Sequence, residues 1–505
     1  MNKTNNWIIA AAASFYLAFI FGTSFKINDI RYFTLIDDAM ISMRYAQHLA
    51  QGHGLVWNIG EKPVEGFTNL GWTLYMAFLH LIPFPAPIIS LAVMLTCAAI
   101  LLANIMVVHG ITQTLLPDSK HAPTLAALIT AFYFPLVFWS LRGMEVGLLT
   151  LLIDAALLLA ISKYRPVLIS LLLMSIVFVR LDALLPAALI GIYFVSKHRS
   201  LASTAPLVFL CVMVLAILYF QQSYFGDYLP TTYYQKVTGY PILDRARRGM
   251  LVFNEFATRD TLALFLLSTA ALFLYRQQRN RDCLLLLGIF GAQCVYSIYL
   301  GGDYAEPETN AANRFITQGM PALIILFSLM TSRILSDLAT ARPNSALSSP
   351  RMNPAVPLAL IVVLVVSGEP WFSYAIGNAP LLKADIRRVK LGLHIAGNTS
   401  PEAIIAVHAA GQIPYFSQRT TIDLLGLNDP LVSRGPGHGE FYPGHNKWNY
   451  EYSIGVLQPD LIADNFAPLG DYISGNEKYQ QLDNEIYVRI DSSVINIEGL
   501  SVEYK

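Results

Sequence analysis

Apolar runs of membrane-span length recur along most of the chain, and the charges between them are sorted by position. Hydrophobic segments extend from Trp7 to Phe25 and over residues 86–108, 122–140, 144–161, 166–179, 183–196, 202–221, 261–275, 282–300, 315–332 and 355–368. In lipid every backbone N–H and C=O must be satisfied internally, so runs of this kind can fold only as helices. Several are short for a full crossing, which suits helices that stop part-way at an internal cavity. Only 13% of the residues are charged and the mean hydropathy is +0.48, values that exclude an ordinary soluble protein of this length. Net charge is zero and no basic cluster is interleaved with aromatics, so nothing favours nucleic acid.

Lys3, Lys120, Lys163, Arg165, Lys197, Arg199, Arg276, Arg279, Arg281, Arg333, Arg342 and Arg351 fall in alternate connections, which should be cytoplasmic. The remaining connections hold most of the acids, among them Asp37, Asp38, Glu65, Glu145, Asp182, Asp227, Asp303, Glu306 and Glu308. Counting segment 69–82 as a span would break this alternation, and the segment is short before Pro83 and Pro85. It reads as a re-entrant or surface-lying helix. The expectation is about 11 spans, N-terminus inside and C-terminus outside. The first run is long for a signal peptide and no small-residue cleavage pattern follows it, so it is expected to be a retained helix. Cys97, Cys211, Cys283 and Cys294 all lie inside apolar segments, which argues against both a disulfide framework and metal-ligand spacing.

The fold class expected is thus an α-helical polytopic membrane protein with a C-terminal extracytoplasmic α/β domain. Residues 1–370 form the transmembrane part, with a first extracytoplasmic loop over 26–85, and a Ser/Pro-rich cytoplasmic linker over 336–354. From about Trp371 the composition turns polar. AIIAVHAAGQIPYFS reads as a strand, a glycine turn and a short helix, TTIDLLGLNDP as a second strand and turn, and PDLIADN and EIYVRI as further strands, giving a globular domain over 371–505. No internal repeat of the transporter kind is visible.

Within the first loop, residues 37–72 (DDAMISMRYAQHLAQGHGLVWNIGEKPVEGFTNLGW) form a polar and aromatic insert. Its first third reads as a helix stopped by Gly52 and Gly54. Asp37, Ile41, Arg44 and His48 fall within roughly 60° of one another on it. Asp37 and Asp38 are a candidate general base, or a candidate site for a divalent cation such as Mg, Mn or Ca. The same residue types also serve simply as helix-start carboxylates.

DDAMISMRYAQHLAQGHGLVWN followed by PVEGFTNLGW resembles the first extracytoplasmic loop of polyprenyl-phosphate-sugar-dependent glycosyltransferases of the type C superfamily, in the family of the mycobacterial terminal arabinofuranosyltransferase. The resemblance extends to LRGMEVGLLTLL with Glu145, FVRLDALLP with Arg180 and Asp182, YFGDYLPTTYYQKVTG with Tyr233 and Lys236, and YLGGDYAEPETNAANRF with Asp303 and Arg314. It continues in AGQIPYFSQRTTIDLLGLND, with Tyr415, Asp423 and Asn428, and in GHNKWNYEY with His445. The resemblance implies that an acidic residue of the first loop carries the chemistry.

Lys236, Arg314, Arg44 and Arg180 are the candidates for binding a phosphate. Arg180 with Asp182 can equally be an ion pair tying a helical hairpin, and Arg314 a snorkelling anchor. Trp57 and Tyr233 offer sugar-stacking faces, or packing. Glu65, Glu145, Asp182, Asp303 and His445 are candidate sugar or acceptor contacts, while Asp423 and Asn428 also suit turn chemistry.

The function expected is transfer of a sugar, by resemblance D-arabinofuranose, from a polyprenyl-phosphate donor to a hydroxyl of a cell-envelope glycan or an exported protein such as pilin. The setting expected is a bacterial inner membrane, with the site and C-terminal domain facing the periplasm. A lipid-linked-sugar flippase would place charges at the membrane midplane and little mass outside; a polysaccharide ligase is the other alternative.

Overall fold

A computed structural model describes residues 3–259, 261, 264, 268, 280–309, 312–341, 354–377, 379–463, 467–482 and 486–501. It is mostly helical and divides into two compact units, one of Met1–Gly22, Met94–Ile217 and Ala246–Asn378, the other of Thr23–Val93, Leu218–Arg245 and Ala379–Lys505.

The first unit holds most of the apolar helices. Among the described residues six helices are long and apolar enough to cross a membrane, starting at Ala86, Leu181, Leu201, Arg281, Arg314 and Ala355. The pair Ala122–Phe132 and Phe134–Leu141, bent by 48°, makes a seventh if counted as one span. Three more apolar helices are shorter, Asn6–Gly22, Val146–Ser162 and Pro166–Val179. Expected segments 144–161 and 166–179 are thus helical but short, and 261–275 lies almost wholly outside the described residues. So do 342–353 of the expected linker, whose first residues instead finish the helix Arg314–Ala341. That helix is the centre of the unit, with its whole apolar stretch buried. It packs against Asn280–Leu300, Ala122–Phe132 and Val146–Ser162.

The second unit is built on a five-stranded sheet in the order β4-β3-β5-β7-β6, comprising β3 (Ile404–Val407), β4 (Thr420–Asp423), β5 (Leu461–Ala463), β6 (Tyr479–Gln481) and β7 (Ile486–Arg489). Strand β3 pairs in parallel with β4 and β5, and β7 runs antiparallel to β5 and β6. Four of these strands stand where the apolar runs placed them. Side chains alternate between the two faces of a strand, and here both faces are covered. Ile405, Val407, Leu461, Ala463, Ile486 and Val488 pack with Ile41, Tyr45, Trp57, Phe67, Leu391 and Ile413. On the other face Ala406, Ile462 and Tyr487 pack with Leu424, Tyr450, Ile454 and Leu469.

The first loop therefore supplies part of the core beneath the sheet. Its helix, Asp37–Ala50, starts after Ile36 in extended conformation and stops before Gly52 and Gly54, both at positive φ. Segment 69–82 is the short helix Leu70–His80, packed on Asp37–Ala50. A hairpin precedes them, β1 (Phe25–Ile27) and β2 (Ile30–Tyr32), turned by Asn28 and Asp29 in the left-handed region. Two successive left-handed residues make the turn whose twist matches paired strands.

Candidate active site

In the stripe Asp37, Ile41, Arg44, His48 the last three are buried and Asp37 is half-buried, and its polar members are each held by defined partners. Asp37 Oδ1 accepts from Gly411 N–H at 3.1 Å and Gln412 N–H at 3.0 Å, capping the helix Gln412–Ser417 from a distant part of the chain. Burial raises the Asp37 carboxyl to about 7, against the lowering by Arg388 and the Gln412 N–H, while Asp38 and Asp385 push it further up. A carboxylate poised there is half-ionised near neutrality, the condition that favours a general base. Asp38 is the next residue of the same first turn and is half-buried.

Arg44 is a strut. It donates from Nε to Trp57 O at 2.9 Å, from NH1 to Pro414 O at 2.7 Å, and from NH2 to Asn58 Oδ1 at 3.0 Å and Arg419 O at 2.8 Å. Its guanidinium also lies 4.7 Å from the centre of the Trp57 ring. Four of its five N–H groups are committed to the fold. Trp57 itself is buried in the core and donates to Thr421 O, so its ring serves as packing. His48 donates from Nδ1 to Val56 O, 3.0 Å away; burial, with Arg44 adding to it, lowers the imidazole to about 4, and the ring is neutral.

Glu65 is buried and accepts from Gln221 Nε2 at 2.8 Å. Burial raises it to about 8 against that hydrogen bond, so it carries its proton at neutral pH. Thr231 donates to the Glu65 carbonyl and thereby anchors the helix Thr231–Val237, which carries Tyr233 and Lys236. Lys447 fastens the end of that helix. Its ammonium donates to Tyr234 O, Thr238 Oγ1 and Ser433 O at 2.6–2.9 Å, three donors for three acceptors.

Arg434 pairs with Asp227 and lies 4.2 Å from the centre of the Tyr234 ring. Lys236 is half-buried, with Cε 3.6 Å from the point where a Cβ on Gly444 would stand, and His445 follows that glycine. The structure thus brings Lys236 beside the His445 turn. Tyr233, half-buried, packs its ring on Tyr234. Asp423 does turn chemistry, accepting from the backbones of Leu425, Gly426 and Asn428 and from the Asn428 amide. Asn428 Oδ1 in turn accepts from Tyr45 OH. Tyr415 OH meets His80 Nε2 at 3.0 Å.

The other unit holds a separate charged cluster. Arg180 donates to Glu145 Oε1 at 2.6 Å and grips both oxygens of Asp182 at 2.9 and 2.6 Å. Tyr296 OH donates to the same Asp182. Arg314 grips Asp303 in the same forked way, at 2.6 and 2.8 Å, and Phe315 lies within 6 Å of both guanidinium groups. Residues 301–302, the two glycines of GGD, both have positive φ. A Cβ on Gly302 would strike Glu306 and Arg248. Arg248 and Glu306 form a further ion pair at 2.8 Å that closes the loop, a partner for the loop that sequence reading missed.

Among the described residues no group of three or more His, Cys, Asp or Glu side chains is placed to hold a metal ion. Asp37 and Asp38 offer two carboxylates, one oxygen of which already accepts two N–H groups.

The family model described as "Domain of unknown function (DUF8728)" matches residues 381–489, and no curated protein matches the chain. Among solved structures, ArnT from Cupriavidus metallidurans bound to undecaprenyl phosphate superposes with a TM-score of 0.55 at 12% identity, covering 96% of this chain and 98% of that one. The Archaeoglobus fulgidus oligosaccharyltransferase in its apo form gives a TM-score of 0.54 at 10% identity, over 91% of this chain and 69% of that one. The same oligosaccharyltransferase complexed with Zn and sulfate gives 0.51 at 12% identity, over 90% and 67%. The fold is that of the type C glycosyltransferases. At these identities the likeness is one of architecture, and the multi-pass membrane character goes with it.

Proposed function

We propose that the protein is a membrane glycosyltransferase that moves a sugar, D-arabinofuranose by the resemblance of its loop motifs, from a polyprenyl-phosphate donor to a hydroxyl of a cell-envelope glycan or exported protein. The observation that carries this reading is a nearly full-length match in fold to ArnT, a structure that holds undecaprenyl phosphate. In the proposed reaction Asp37 takes the proton of the acceptor hydroxyl. The acceptor oxygen forms a bond to the anomeric carbon as the bond from that carbon to the phosphate oxygen breaks, and the lipid phosphate leaves with the electron pair.

Lys236 is the proposed cation for that phosphate within the unit of Asp37, with Arg180 and Arg314, each oriented by carboxylates, as phosphate candidates in the other unit. Arg44 gives four N–H groups to three backbone carbonyls and Asn58 Oδ1 and is not proposed at the phosphate. Tyr233 and His445, beside Lys236, are proposed sugar or acceptor contacts; Glu65, Glu145, Asp182 and Asp303 are the polar residues that shape the two clusters. Asp37 and Asp38 are the residues that would hold a divalent cation, and among the described residues no third His, Cys, Asp or Glu is placed with them. The proposed setting is a bacterial inner membrane with residues 371–505 on the periplasmic side.

The test is transfer by the purified protein in detergent from synthetic polyprenyl-phospho-arabinofuranose to a panel of glycan and pilin-like acceptors, read by mass spectrometry with and without EDTA. A pentose added to one acceptor, and lost in Asp37→Asn, supports the reading. Exchange of the lipid across proteoliposomes without transfer would overturn it in favour of a transporter.

A further inference from the structure

Gln412 is wholly buried and its side-chain amide is used twice. Nε2 donates to Leu35 O at 2.9 Å and to Asp385 Oδ1 at 2.8 Å. Its backbone N–H is one of the two donors to Asp37 Oδ1. Asp385 is buried in the helix Pro380–Asn398, and Arg388 NH1 lies 3.8 Å from its Oδ1. One residue therefore ties together the carbonyl that precedes the helix Asp37–Ala50, the first carboxylate of that helix, and an acid–base pair on another helix.

The chemistry of the two side-chain contacts selects glutamine. Both partners are acceptors, so the group between them must supply two N–H donors from one atom, as a primary amide does and a carboxylate or hydrocarbon does not. The consequence falls on Asp37. Two N–H groups near 3 Å on Oδ1 fix the rotation of the carboxylate, and the clamp on Leu35 O fixes the backbone from which it springs. Among the described residues no donor is recorded on Oδ2, leaving that oxygen as the one able to meet an acceptor hydroxyl. Proton transfer requires approach to about 2.6–3.2 Å, so the direction of Oδ2 decides whether the base works.

We infer that Gln412, braced by Asp385, is a positioning residue that aims Asp37 Oδ2 at the acceptor, so that the region matched by the domain of unknown function completes the catalytic base. This rests on the assignment of Asp37 above.

The experiment measures kcat and KM for Gln412→Leu, Gln412→Glu and Gln412→Asn in the full chain, using synthetic polyprenyl-phospho-arabinofuranose and the acceptor found for the wild type, together with thermal midpoints. Gln412→Leu keeps the backbone donors to Asp37 but releases Leu35 and Asp385. It is expected to lower kcat about 10- to 100-fold, the scale of a misplacement near 1 Å, with both KM values within about twofold; the thermal midpoint falls because two buried acceptors lose their donor, while the protein stays folded at the assay temperature. Gln412→Glu, which sets an acceptor against two acceptors, is expected to lose more. Should Gln412→Leu not fold, Gln412→Asn, whose donors retreat by one methylene, decides by the same criteria. An unchanged kcat, a loss confined to KM, or a loss that follows the folded fraction overturns the inference. An Asp37→Asn variant that keeps the wild-type kcat overturns the assignment of Asp37, and with it this inference, and the two failures are distinct.

Discussion

Residue 411 has no room for a side chain, because a Cβ there would lie 2.0 Å from the backbone oxygen of Asp37 and 2.6 Å from its Oδ1. The clash is with main chain, which cannot swing aside as the end of a long side chain does. Gly411→Ala is therefore expected to push the helix Gln412–Ser417 off Asp37, costing about 1–3 kcal/mol as overpacking does, and to abolish transfer. Thermal unfolding and the mass-spectrometric assay check the two effects; an alanine variant with wild-type values of both would contradict the geometry.

If Asp37 is the base, its ionised form is the active one. With the carboxyl at about 7, the rate of transfer should rise from pH 5.5, bend near pH 7 and level above it. Below the bend it should fall about tenfold per pH unit. A rate measured at saturating substrates that stays flat between pH 5.5 and 7 would rule out this carboxylate.

Glu65 predicts a stability effect of opposite sense to an ion-paired acid. Its folded carboxyl stands at about 8 against an ordinary 4.5, so the folded state prefers the protonated form. That stability is fully present below pH 4.5 and is lost as pH rises toward 8. Glu65→Gln keeps an acceptor for Gln221 and has no charge to bury. It should match the wild type at pH 5 and exceed it at pH 8 by on the order of 1–3 kcal/mol, seen as a higher thermal midpoint at the alkaline end only.

Arg44→Lys replaces a fork of donors with a point charge, and an ammonium cannot reach Trp57 O, Pro414 O, Asn58 and Arg419 O together. The expected loss is at least about 3 kcal/mol, since buried hydrogen bonds from a charged donor contribute roughly 1.5–3 kcal/mol each. Denaturation of the purified protein measures it. An unchanged midpoint with a raised donor KM would instead place Arg44 at the phosphate.

Breaking the forked pair of Arg314 and Asp303 from one side leaves a buried charge alone. Asp303→Asn is expected to cost about 3–5 kcal/mol. Replacing both residues should cost less than the sum of the single changes, and a double-mutant cycle supplies the comparison.

Much of this architecture is legible in the amino-acid order. Apolar runs of four to eight residues locate β3, β4, β5 and β7, and Gly52 and Gly54 locate the end of the first-loop helix. The strand Tyr479–Gln481 escapes detection because its outward residues are polar and it has only three positions over which to show a pattern. The Asn28–Asp29 turn did carry a signal, two residues tolerant of positive φ between β-formers, but the strands it joins are equally short. The periodicity Asp37, Ile41, Arg44, His48 correctly marks one face of a helix. What faces it is beyond any local pattern, because Gly411, Gln412, Pro414 and Arg419 stand some 370 residues away. For the same reason an arginine on that face reads as a phosphate ligand, while four of its N–H groups are met by three main-chain carbonyls and Asn58 Oδ1.

The strut from Arg44 to Pro414 O and Arg419 O, 370 and 375 residues apart in sequence, sets an order of events during synthesis. The loop that holds Arg44 is made well before those residues, so its guanidinium can reach Trp57 O and Asn58 Oδ1 within the loop but meets its other two acceptors only once translation has passed residue 419. That loop is therefore finished long after it is made. A chain halted between the helix Ala355–Ala375 and residue 411 would hold neither these acceptors nor the Gly411 and Gln412 N–H groups that meet Asp37.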